Sequence, residues 1–329
     1  MVNCHSVFQL LETYKARKII SKYLPRTPLV YSKKISKIVG FDVYLKLENT
    51  LPTRAFKVRG GVYYANVKKE EAVKKGLIAA SIGNHGQSIA YAGKLVGARV
   101  VIVMPHGVPE VKVEALRDLG AEIIFHGKIY EEAREYAEKL AREKGMLYVH
   151  DVNEPLLYAS VGTMHLEDIE DLPDVGVIIN PIGGGSGTSG AVIVAKSVDP
   201  KIKVIGVQAE GAQSFYLSWK AGRLVSTGKA DTIAEGLATS KAYELSFMIL
   251  KDRIDDIVLV SDEEIKKAMK MLLELAGQVA EPSGAAAMAA AYEMKERLQG
   301  KKVIVMVTGG NVSPELLREI VNMEPWWER

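Results

Sequence analysis

The segment from Lys46 to Gly60 places one lysine where it could act as a nucleophile. Lys57 directly follows Phe56, after a proline turn and before an apparent helix start. A lysine that forms a Schiff base needs a lowered pKa, which burial or a nearby positive charge provides, so that its amine can attack and accept a proton. A single lysine is by default a salt-bridged surface residue, so other motifs must decide the role of Lys57.

A glycine cluster between a predicted strand and a predicted helix indicates an anion site. Five glycines occur within residues 183–190, after the apolar run Val177–Ile179. Backbone N–H groups at a helix N-terminus, together with the helix dipole, suit a phosphate monoester or a pyrophosphate. A flexible surface turn is the alternative, but the position between strand and helix favours the phosphate site.

Part of this cluster also satisfies the dinucleotide-binding pattern. Gly185, Gly187 and Gly190 have the GxGxxG spacing, and Glu210 follows after a further predicted strand. A nicotinamide-dependent dehydrogenase is therefore an alternative hypothesis. The pattern alone is weak evidence, and it leaves Lys57 and a second polar turn unexplained.

That second turn, Ser81-Ile-Gly-Asn-His-Gly86, also lies between a strand end and a helix start. Its N–H groups could bind a carboxylate, and Asn84 offers an amide donor. His85 could be a general base, a carboxylate contact or a cap of the helix start. Taken alone, its type and position favour the structural role.

These motifs lie between short β-branched runs that alternate with charged, amphipathic stretches. The alternation is typical of open parallel α/β sheets, and it occurs in two series along the chain. The predicted strands are Phe41–Leu47, Gly76–Ala80, Arg99–Met104, Glu122–Phe125, Val175–Asn180, Lys203–Gln208, Ile257–Val260 and Lys302–Val307. The predicted helices are Val7–Leu24, Ser32–Val39, Gly86–Leu95, Pro109–Leu119, Ile129–Lys144, Glu263–Ala276 and Ala285–Gln299.

The composition narrows the class of protein. The chain has 329 residues, of which 48% are hydrophobic, and a net charge of +3 from 43 basic and 40 acidic residues. Because the charges are scattered, we expect no nucleic-acid partner. One cysteine, Cys4, excludes an intrachain disulfide and favours a reducing, cytoplasmic location. No secretion signal or membrane-spanning apolar run is recognisable, so we expect a soluble protein without a membrane partner.

Four segments resemble, in the same order, those of fold-type II pyridoxal-phosphate (PLP) enzymes of the tryptophan synthase β-like superfamily. They are Ala55-Phe-Lys-Val-Arg-Gly60, Ser81-Ile-Gly-Asn-His-Gly86, Gly183-Gly-Gly-Ser-Gly187 and Thr308-Gly-Gly-Asn311. Asp231–Ala238, Glu281–Ala285 and the Asn84-His85 pair are similar to the threonine/serine dehydratase and serine racemase branch. Four motifs with compatible spacing argue against chance agreement.

The resemblance implies pyridoxal 5'-phosphate as the cofactor and gives each matched residue a role. Lys57 would hold PLP as a Schiff base and, once freed, take the Cα proton of the substrate. Phe56 would pack against the cofactor ring, Asn84 would bond its phenolic oxygen and Thr308 would face its pyridine nitrogen. The phosphate would rest on Gly183, Gly184, Gly185, Ser186 and Gly187. The substrate carboxylate would rest on Ser81, Gly83, Asn84 and His85.

The implied activity is α,β-elimination of L-threonine or L-serine to a 2-oxo acid and ammonia. A hydroxyl at Thr308 cannot stabilise a protonated pyridine as a carboxylate would, so the cofactor is expected to be a moderate electron sink. A PLP-dependent racemase and a β-replacement synthase are alternatives of the same class. A non-catalytic PLP carrier is a further alternative of a different class, beside the dehydrogenase.

Several positions depart from the family pattern. Ile82 stands where serine racemases have a serine that protonates the opposite face, which disfavours racemisation. Gln208 and Ser214 stand where acidic metal ligands occur in racemase-like members, so we expect no metal site. Arg54 replaces a usual glycine and Glu235 a usual aspartate, and Arg54 could alter substrate choice. The short stretch after the last motif predicts no C-terminal regulatory domain.

The resemblance also predicts the architecture. We expect two open, twisted, mostly parallel sheets flanked by helices. A smaller mobile domain, residues 49–150, would be inserted in a larger PLP-binding domain formed by residues 1–48 and 151–329, with the active site between them. The partner would be a small amino-acid substrate, and the C-terminal pair Trp326-Trp327 suggests contacts in a homodimer or homotetramer.

Overall fold

Two sheets organise the computed structural model, which describes residues 9–327. The larger sheet has six strands in the order β1-β2-β10-β7-β8-β9. Among the described residues, β1 pairs antiparallel with β2 and the other pairs of this sheet are parallel. Its strands are β1 Leu29–Tyr31, β2 Asp42–Leu47, β7 Val177–Pro181, β8 Lys203–Ala209, β9 Asp256–Val260 and β10 Lys302–Val307.

The smaller sheet is fully parallel, in the order β5-β4-β3-β6. Its strands are β3 Leu77–Ala80, β4 Val100–Met104, β5 Glu122–Phe125 and β6 Leu147–Tyr148. The predicted class, two mostly parallel sheets flanked by helices, is therefore confirmed. Strands β3, β4 and β7 are buried along their whole length, as expected of parallel strands covered by helices on both faces.

Helices cover both sheets, and most of the predicted helices are present with ends shifted by a few residues. They are α1 Leu10–Ile20, α2 Lys33–Val39, α3 Val58–Val67, α4 Lys69–Lys75, α5 Asn84–Val96, α6 Glu110–Asp118, α7 Tyr130–Lys144, α8 Pro155–Asp171, α9 Ser186–Val198, α10 Ser214–Ala221, α11 Glu244–Leu250, α12 Asp262–Ala276, α13 Pro282–Glu293 and α14 Pro314–Asn322. Cys4 and the start of the helix predicted over Val7–Leu24 lie outside the described residues.

Three of the sequence motifs follow the carboxyl ends of strands. Strand β3 leads into Ser81, β7 leads into the glycine cluster, and β10 leads into Thr308. Ligands of parallel α/β sheets bind at these ends, where loops and helix N-termini meet. The topology therefore positions the motifs for a common site.

The boundary predicted at residue 150 separates the two sheets in sequence, since the smaller sheet uses only strands within residues 77–148. Helix α3 links the two regions, because it packs against α5 on one side and against α8 on the other. Ion pairs also join them, among them the pair of Lys112 and Glu235, with Nζ 2.5 Å from a carboxylate oxygen. The division into a mobile and a fixed domain stays a prediction.

The C-terminal tryptophans have partners within the chain. The Trp326 ring lies edge-on to Tyr292, with centroids 4.3 Å apart, and Trp327 lies edge-on to Trp326. Packing within one protomer therefore accounts for the two tryptophans on which the expected oligomer was based. The oligomeric state stays a prediction. Among residues 9–327, no helix is both long and apolar enough to cross a membrane.

Candidate active site

Lys57 lies at the N-terminal end of α3 and is partly buried. Its Nζ is 3.5 Å from the carbonyl oxygen of Asp151 and 5.4 Å from the centroid of the Phe56 ring. Burial lowers the pKa of Lys57 because it disfavours the ammonium form, although the charge of Asp151 opposes this effect. A larger fraction of neutral amine than in an exposed lysine is therefore available for nucleophilic attack.

The end of β10 holds the segment that carries Lys57. The Phe56 N–H donates to the Thr308 carbonyl oxygen at 3.0 Å, and Ala55 forms a β-bridge with Gly309. Arg54, two residues earlier, adopts a left-handed φ of 56°, a conformation that costs a non-glycine residue of the order of 1 kcal/mol. This backbone explains why glycine is usual at the position, and it leaves the Arg54 side chain exposed.

The glycine cluster forms a tight loop that enters α9 at Ser186. Gly185 is left-handed, with φ 91°, as the turn into the helix requires. A Cβ on Gly183 would lie 2.0 Å from the carbonyl oxygen of Gly236, and one on Gly187 would lie 3.6 Å from the Phe56 ring. The loop therefore lies beside the Lys57 segment and presents helix N-terminal N–H groups there.

Ser81 shapes the turn that precedes α5. Its Oγ accepts the N–H groups of Gly83, at 3.2 Å, and Gly86, at 2.9 Å. The hydroxyl proton has a weak contact with the Gly83 carbonyl at 3.4 Å. A carboxylate oxygen in the turn could accept this proton and the N–H groups of the first turn of α5.

His85 is buried within this turn. Its Nε2 lies 3.0 Å from the carbonyl oxygen of Val149, which can only accept, so Nε2 carries the proton. Burial lowers the pKa of His85 to about 4, because it disfavours the imidazolium. The ring is neutral and its donor is already used, so we expect a substrate carboxylate to meet the backbone N–H of His85 and not the ring.

Acidification is expected to destabilise the protein through His85. The pKa is about 4 in the folded chain, against an ordinary value of 6.5. Between these values the unfolded chain binds a proton that the folded chain does not, so the free energy of unfolding falls as the pH falls through this window, by up to about 3 kcal/mol. Urea denaturation of the cofactor-free protein at pH 7 and pH 5 measures the loss.

The matched variant is His85→Gln, which keeps a donor for Val149 but does not titrate. Wild type should lose more stability than this variant between pH 7 and pH 5. The pKa of Asp151 is lowered to about 2, so its contribution to the free energy of unfolding would be lost only in stronger acid. Burial raises the pKa of Glu281, so the contribution of Glu281 grows as the pH falls. Both groups are present in both proteins, so an equal pH dependence would contradict the role of His85.

Asn84 is held by two residues from the other side of the cleft. Its Nδ2 donates to Glu281 Oε1 and its Oδ1 accepts from Asn311 Nδ2, each at 2.7 Å. Glu281 also accepts the Ser283 hydroxyl at 3.0 Å and the Asn311 N–H at 3.1 Å. Desolvation raises the pKa of this buried carboxyl, whereas the donors lower it and their effect is smaller. The network positions Asn84 beside the end of β10.

A buried ion cluster supports the helix that begins after Lys57. Arg59 is 1% exposed and donates to both carboxylate oxygens of Glu48, at 2.8 Å, and of Glu167, at 2.8 and 2.9 Å. Lys46 Nζ donates to Glu167 at 2.8 Å. Burial opposes ionisation of Glu167, but Arg59 and Lys46 lower its pKa to about 2. The cluster is therefore charged, and it ties β2, α3 and α8 together two residues from Lys57.

Comparison with known proteins decides the family. A sequence profile described as "Pyridoxal-phosphate dependent enzyme" matches residues 20–309. The chain belongs to this family. The cofactor of this PLP enzyme is pyridoxal 5'-phosphate, and the fold-type II resemblance is confirmed.

Relatives of this PLP enzyme lie in the predicted branch. An L-threonine ammonia-lyase of Thermotoga maritima is 40% identical over 308 residues, which are 94% of this chain and 77% of that protein. The processed form of threonine deaminase isoform 2 from Solanum lycopersicum has a TM-score of 0.90 at 30% identity, over 95% of this chain and 86% of that chain. Maize serine racemase has a TM-score of 0.89 at 32% identity, over 95% and 98% of the two chains.

The residues of the site fit PLP. The Lys57 amine can hold an aldehyde, the N-terminus of α9 supplies donors for a phosphate, and Phe56 offers a ring surface between them. Thr308 is buried, and its Oγ1 makes only a long contact, 3.5 Å, with the Ser283 carbonyl. Its hydroxyl is therefore available to another polar atom in the site. The assignment of each residue to a part of the cofactor stays a prediction.

Adding a methyl group at Gly183 is expected to weaken PLP binding. The Cβ of Gly183→Ala would meet the Gly236 carbonyl oxygen at 2.0 Å, so the loop must shift and its N–H groups lose their alignment. We expect an affinity loss of about tenfold or more, the size of one or more lost charged hydrogen bonds. Titration of the cofactor-free protein with PLP, followed by absorbance, measures it.

Gly176→Ala is the control, because its Cβ would meet ordinary contacts, 3.5 Å from the Lys302 carbonyl oxygen and 3.8 Å from the Lys301 Cδ, away from the loop. Equal PLP affinity of Gly183→Ala and wild type would contradict the predicted phosphate site.

The two positions on which the predicted absence of a metal site was based, Gln208 and Ser214, form hydrogen bonds within the protein. Gln208 is buried, donates to the Ile182 carbonyl at 3.3 Å and accepts the Tyr216 N–H at 2.8 Å. Ser214 donates to the Thr239 carbonyl at 2.9 Å. Among the described residues, no group of three or more His, Cys, Asp and Glu side chains is arranged to hold a metal ion.

Sequence reasoning assigned no function to several residues that the structure brings to the site. Glu281 lies in a matched segment but received no role, and Asp151 and His150 lie in none of the motifs. Both of these follow the end of strand β6, and polar residues at the ends of parallel strands are the signal that could have found them. Asn311 was part of a motif, but its bond to Asn84 spans 227 positions and has no local signal.

Proposed function

We propose that this protein is a PLP-dependent ammonia-lyase that converts L-threonine or L-serine to a 2-oxo acid and ammonia. The observation that carries the proposal is the convergence of three features. Lys57, whose pKa is lowered by burial, lies beside the glycine loop that would bind a phosphate. Asn84, in the turn that would bind a carboxylate, accepts a hydrogen bond from Asn311. Asn311 follows β10, the strand whose end holds the Lys57 segment. The identity of 40% to a threonine ammonia-lyase supports the same reaction.

The residues of the chain would divide the work as follows. The turn at Ser81–Gly86 binds the substrate carboxylate and orients Cα toward Nζ of Lys57. PLP, when bound, supplies the electron sink that makes the Cα proton acidic. The Lys57 amine takes that proton, the β-hydroxyl receives a proton and leaves as water, and the enamine product then takes up one water to give the 2-oxo acid and ammonia.

Closure of residues 49–150 over the substrate would exclude water from this step. The pairs Asn84–Glu281 and Lys112–Glu235 join the two sides directly, so they would hold the closed arrangement together. Water exclusion strengthens the electrostatic interactions in a closed site. A crystal soaked with substrate and showing no relative shift of the two regions would count against closure.

The test of the function is a visible spectrum of the purified PLP-loaded protein before and after L-threonine or L-serine, with 2-oxo acid measured in the same cuvette. We expect a cofactor band, a spectral change on adding substrate, and production of oxo acid with equal ammonia. A loaded protein that binds either amino acid without releasing ammonia would overturn the lyase and leave the racemase, the β-replacement synthase and the carrier.

Racemisation is a second candidate, because maize serine racemase shares the fold at 32% identity. A racemase needs a second acid on the face of Cα opposite to Lys57. The family resemblance puts Ile82 at that position; its side chain packs against a hydrophobic cluster and has no proton to exchange. We therefore expect L-serine to give pyruvate without accumulation of D-serine, which chiral chromatography of the reaction mixture measures.

A further inference from the structure

A buried histidine and a buried aspartate lie behind the glycine loop, outside every matched segment. His165 and Asp168 are one turn apart on α8, and both are 0% exposed. His165 Nδ1 is 2.8 Å from Asp168 Oδ2, and a carboxylate oxygen accepts, so Nδ1 carries a proton. The carboxylate therefore fixes the orientation of the ring and the tautomer in which Nε2 is the acceptor. The elimination reaction gives this pair no part.

The second ring nitrogen of His165 faces the start of α9. Nε2 lies 3.1 Å from Nδ2 of Asn180, near the end of β7, and 3.3 Å from the carbonyl oxygen of Gly187. Because the Asn180 NH₂ group can only donate, Nε2 accepts from it. The buried pair on α8 thus reaches the first turn of α9 through Asn180.

The Asn180 amide is in direct contact with the glycine loop. A Cβ on Gly187 would lie 3.2 Å from Asn180 Oδ1 and 3.6 Å from the Phe56 ring, so these groups surround one small space. Asn180 Oδ1 is buried and has no hydrogen-bond partner among residues 9–327. Leaving a buried acceptor unpaired is unfavourable, so the bond to His165 is needed to hold the amide in this orientation.

The glycines of the loop need support from outside. Glycine loses more backbone entropy on ordering than other residues do, and four of the five residues 183–187 are glycines. The two helices touch directly, since a Cβ on Gly190 would lie 2.9 Å from the backbone nitrogen of Gly162. The contact of Asn180 with Gly187 extends this support to the first turn of α9, whose N–H groups would bind the phosphate.

We propose that His165, oriented by Asp168 and acting through Asn180, is a positioning residue for the phosphate of the cofactor. The proposal rests on the PLP site of the proposed function and adds to it residues that act through the loop. With the Asn180 amide fixed against Gly187, the N–H groups of the loop keep one alignment before the cofactor binds. Donors that are ordered in advance bind more tightly, because less conformational entropy is lost on binding.

The test compares two ligands that differ only in the phosphate, pyridoxal 5'-phosphate and pyridoxal. The variant His165→Asn keeps an N–H donor for Asp168 but is too short to reach Asn180. Its Kd for pyridoxal 5'-phosphate should rise about tenfold, and its Kd for pyridoxal should change about twofold or less. Absorbance titration of the cofactor-free protein measures both. Equal losses for the two ligands, as a merely structural role would give, or an unchanged affinity for pyridoxal 5'-phosphate, would overturn the proposal.

His165→Gln is the matched conservative variant. Its amide reaches the place of Nε2 and can accept from Asn180, but Asp168 loses its donor. We expect an affinity for pyridoxal 5'-phosphate within about twofold of wild type, together with a lower midpoint of urea denaturation. A loss of affinity as large as that of His165→Asn would mean that the contact with Asn180 does not position the phosphate, and would refute the proposal.

Asn180→Ala tests the same relay while the pair of His165 and Asp168 stays intact. It should show the same loss for pyridoxal 5'-phosphate alone. The double variant of His165→Asn and Asn180→Ala should lose no more than Asn180→Ala, because the two residues act in series, and additive losses would contradict this order. None of these titrations needs turnover. Selective losses in a protein that releases no ammonia would therefore support the positioning role and contradict only the lyase.

Discussion

Lys57→Ala is expected to lower the rate of 2-oxo acid formation by about 10⁴-fold or more, because the variant loses both the covalent anchor of PLP and the base for the Cα proton. The absorbance band of the bound cofactor should also disappear. The measurement is a steady-state assay with saturating PLP and L-threonine, together with the visible spectrum. Lysine at this position combines a lowered pKa with contact to the Phe56 ring, and alanine provides neither.

Lys68→Ala is the matched control, since Lys68 lies at the other end of the same helix and pairs with Glu71 on the surface. It should keep both the band and the rate. Borohydride reduction of the loaded wild type followed by peptide mapping identifies the modified lysine directly. A cofactor attached to another lysine would refute the assignment of Lys57.

Arg59→Met is expected to lower the free energy of unfolding by about 3–5 kcal/mol, because it leaves two buried carboxylates without their main partner. Glu48 and Glu167 both lie around the guanidinium, and Lys46 alone cannot compensate both charges. Methionine has a similar length and fills much of the volume, so loss of the charge dominates. Urea denaturation of the cofactor-free protein measures the effect.

Arg99→Met is the control for the same substitution on the surface. Arg99 pairs with Glu122 at 2.6 Å, but its side chain is 61% exposed, and we expect a loss of about 1 kcal/mol or less. Similar losses for the two variants would mean that the buried cluster contributes no more than a surface pair. The variant Glu167→Gln, which removes one of the carboxylates instead of the arginine, then tests whether charge imbalance is the cause.

The fold class and the positions of most strands could be predicted because their signals are local. Short β-branched runs, glycine turns and amphipathic stretches each occupy a few consecutive residues, and parallel sheets repeat them in a fixed rhythm. Helix α8, Pro155–Asp171, was not predicted because residues 157–168 are all buried. A helix surrounded by protein has no polar face, so it lacks the periodicity by which surface helices are recognised.

Much of the candidate site had a sequence signal, but the contacts between its parts did not. Lys57 and the two glycine turns were found by their spacing and family resemblance. The bond between Asn84 and Glu281 joins residues 197 positions apart, and the ion pair between Arg59 and Glu167 joins residues 108 positions apart. Such pairs depend on how the strands are ordered in space, which the periodicity of a segment does not contain.

The place of β10 in the larger sheet has a consequence for how the molecule is made. This strand lies between β2 and β7, although it follows every other strand along the chain. During synthesis from the N-terminus, the gap between β2 and β7 remains open until residues 302–307 have left the ribosome. Contacts of such long sequence separation form slowly. The Lys57 segment, which β10 holds through Thr308 and Gly309, should therefore become competent to take up PLP only in the last stage of assembly.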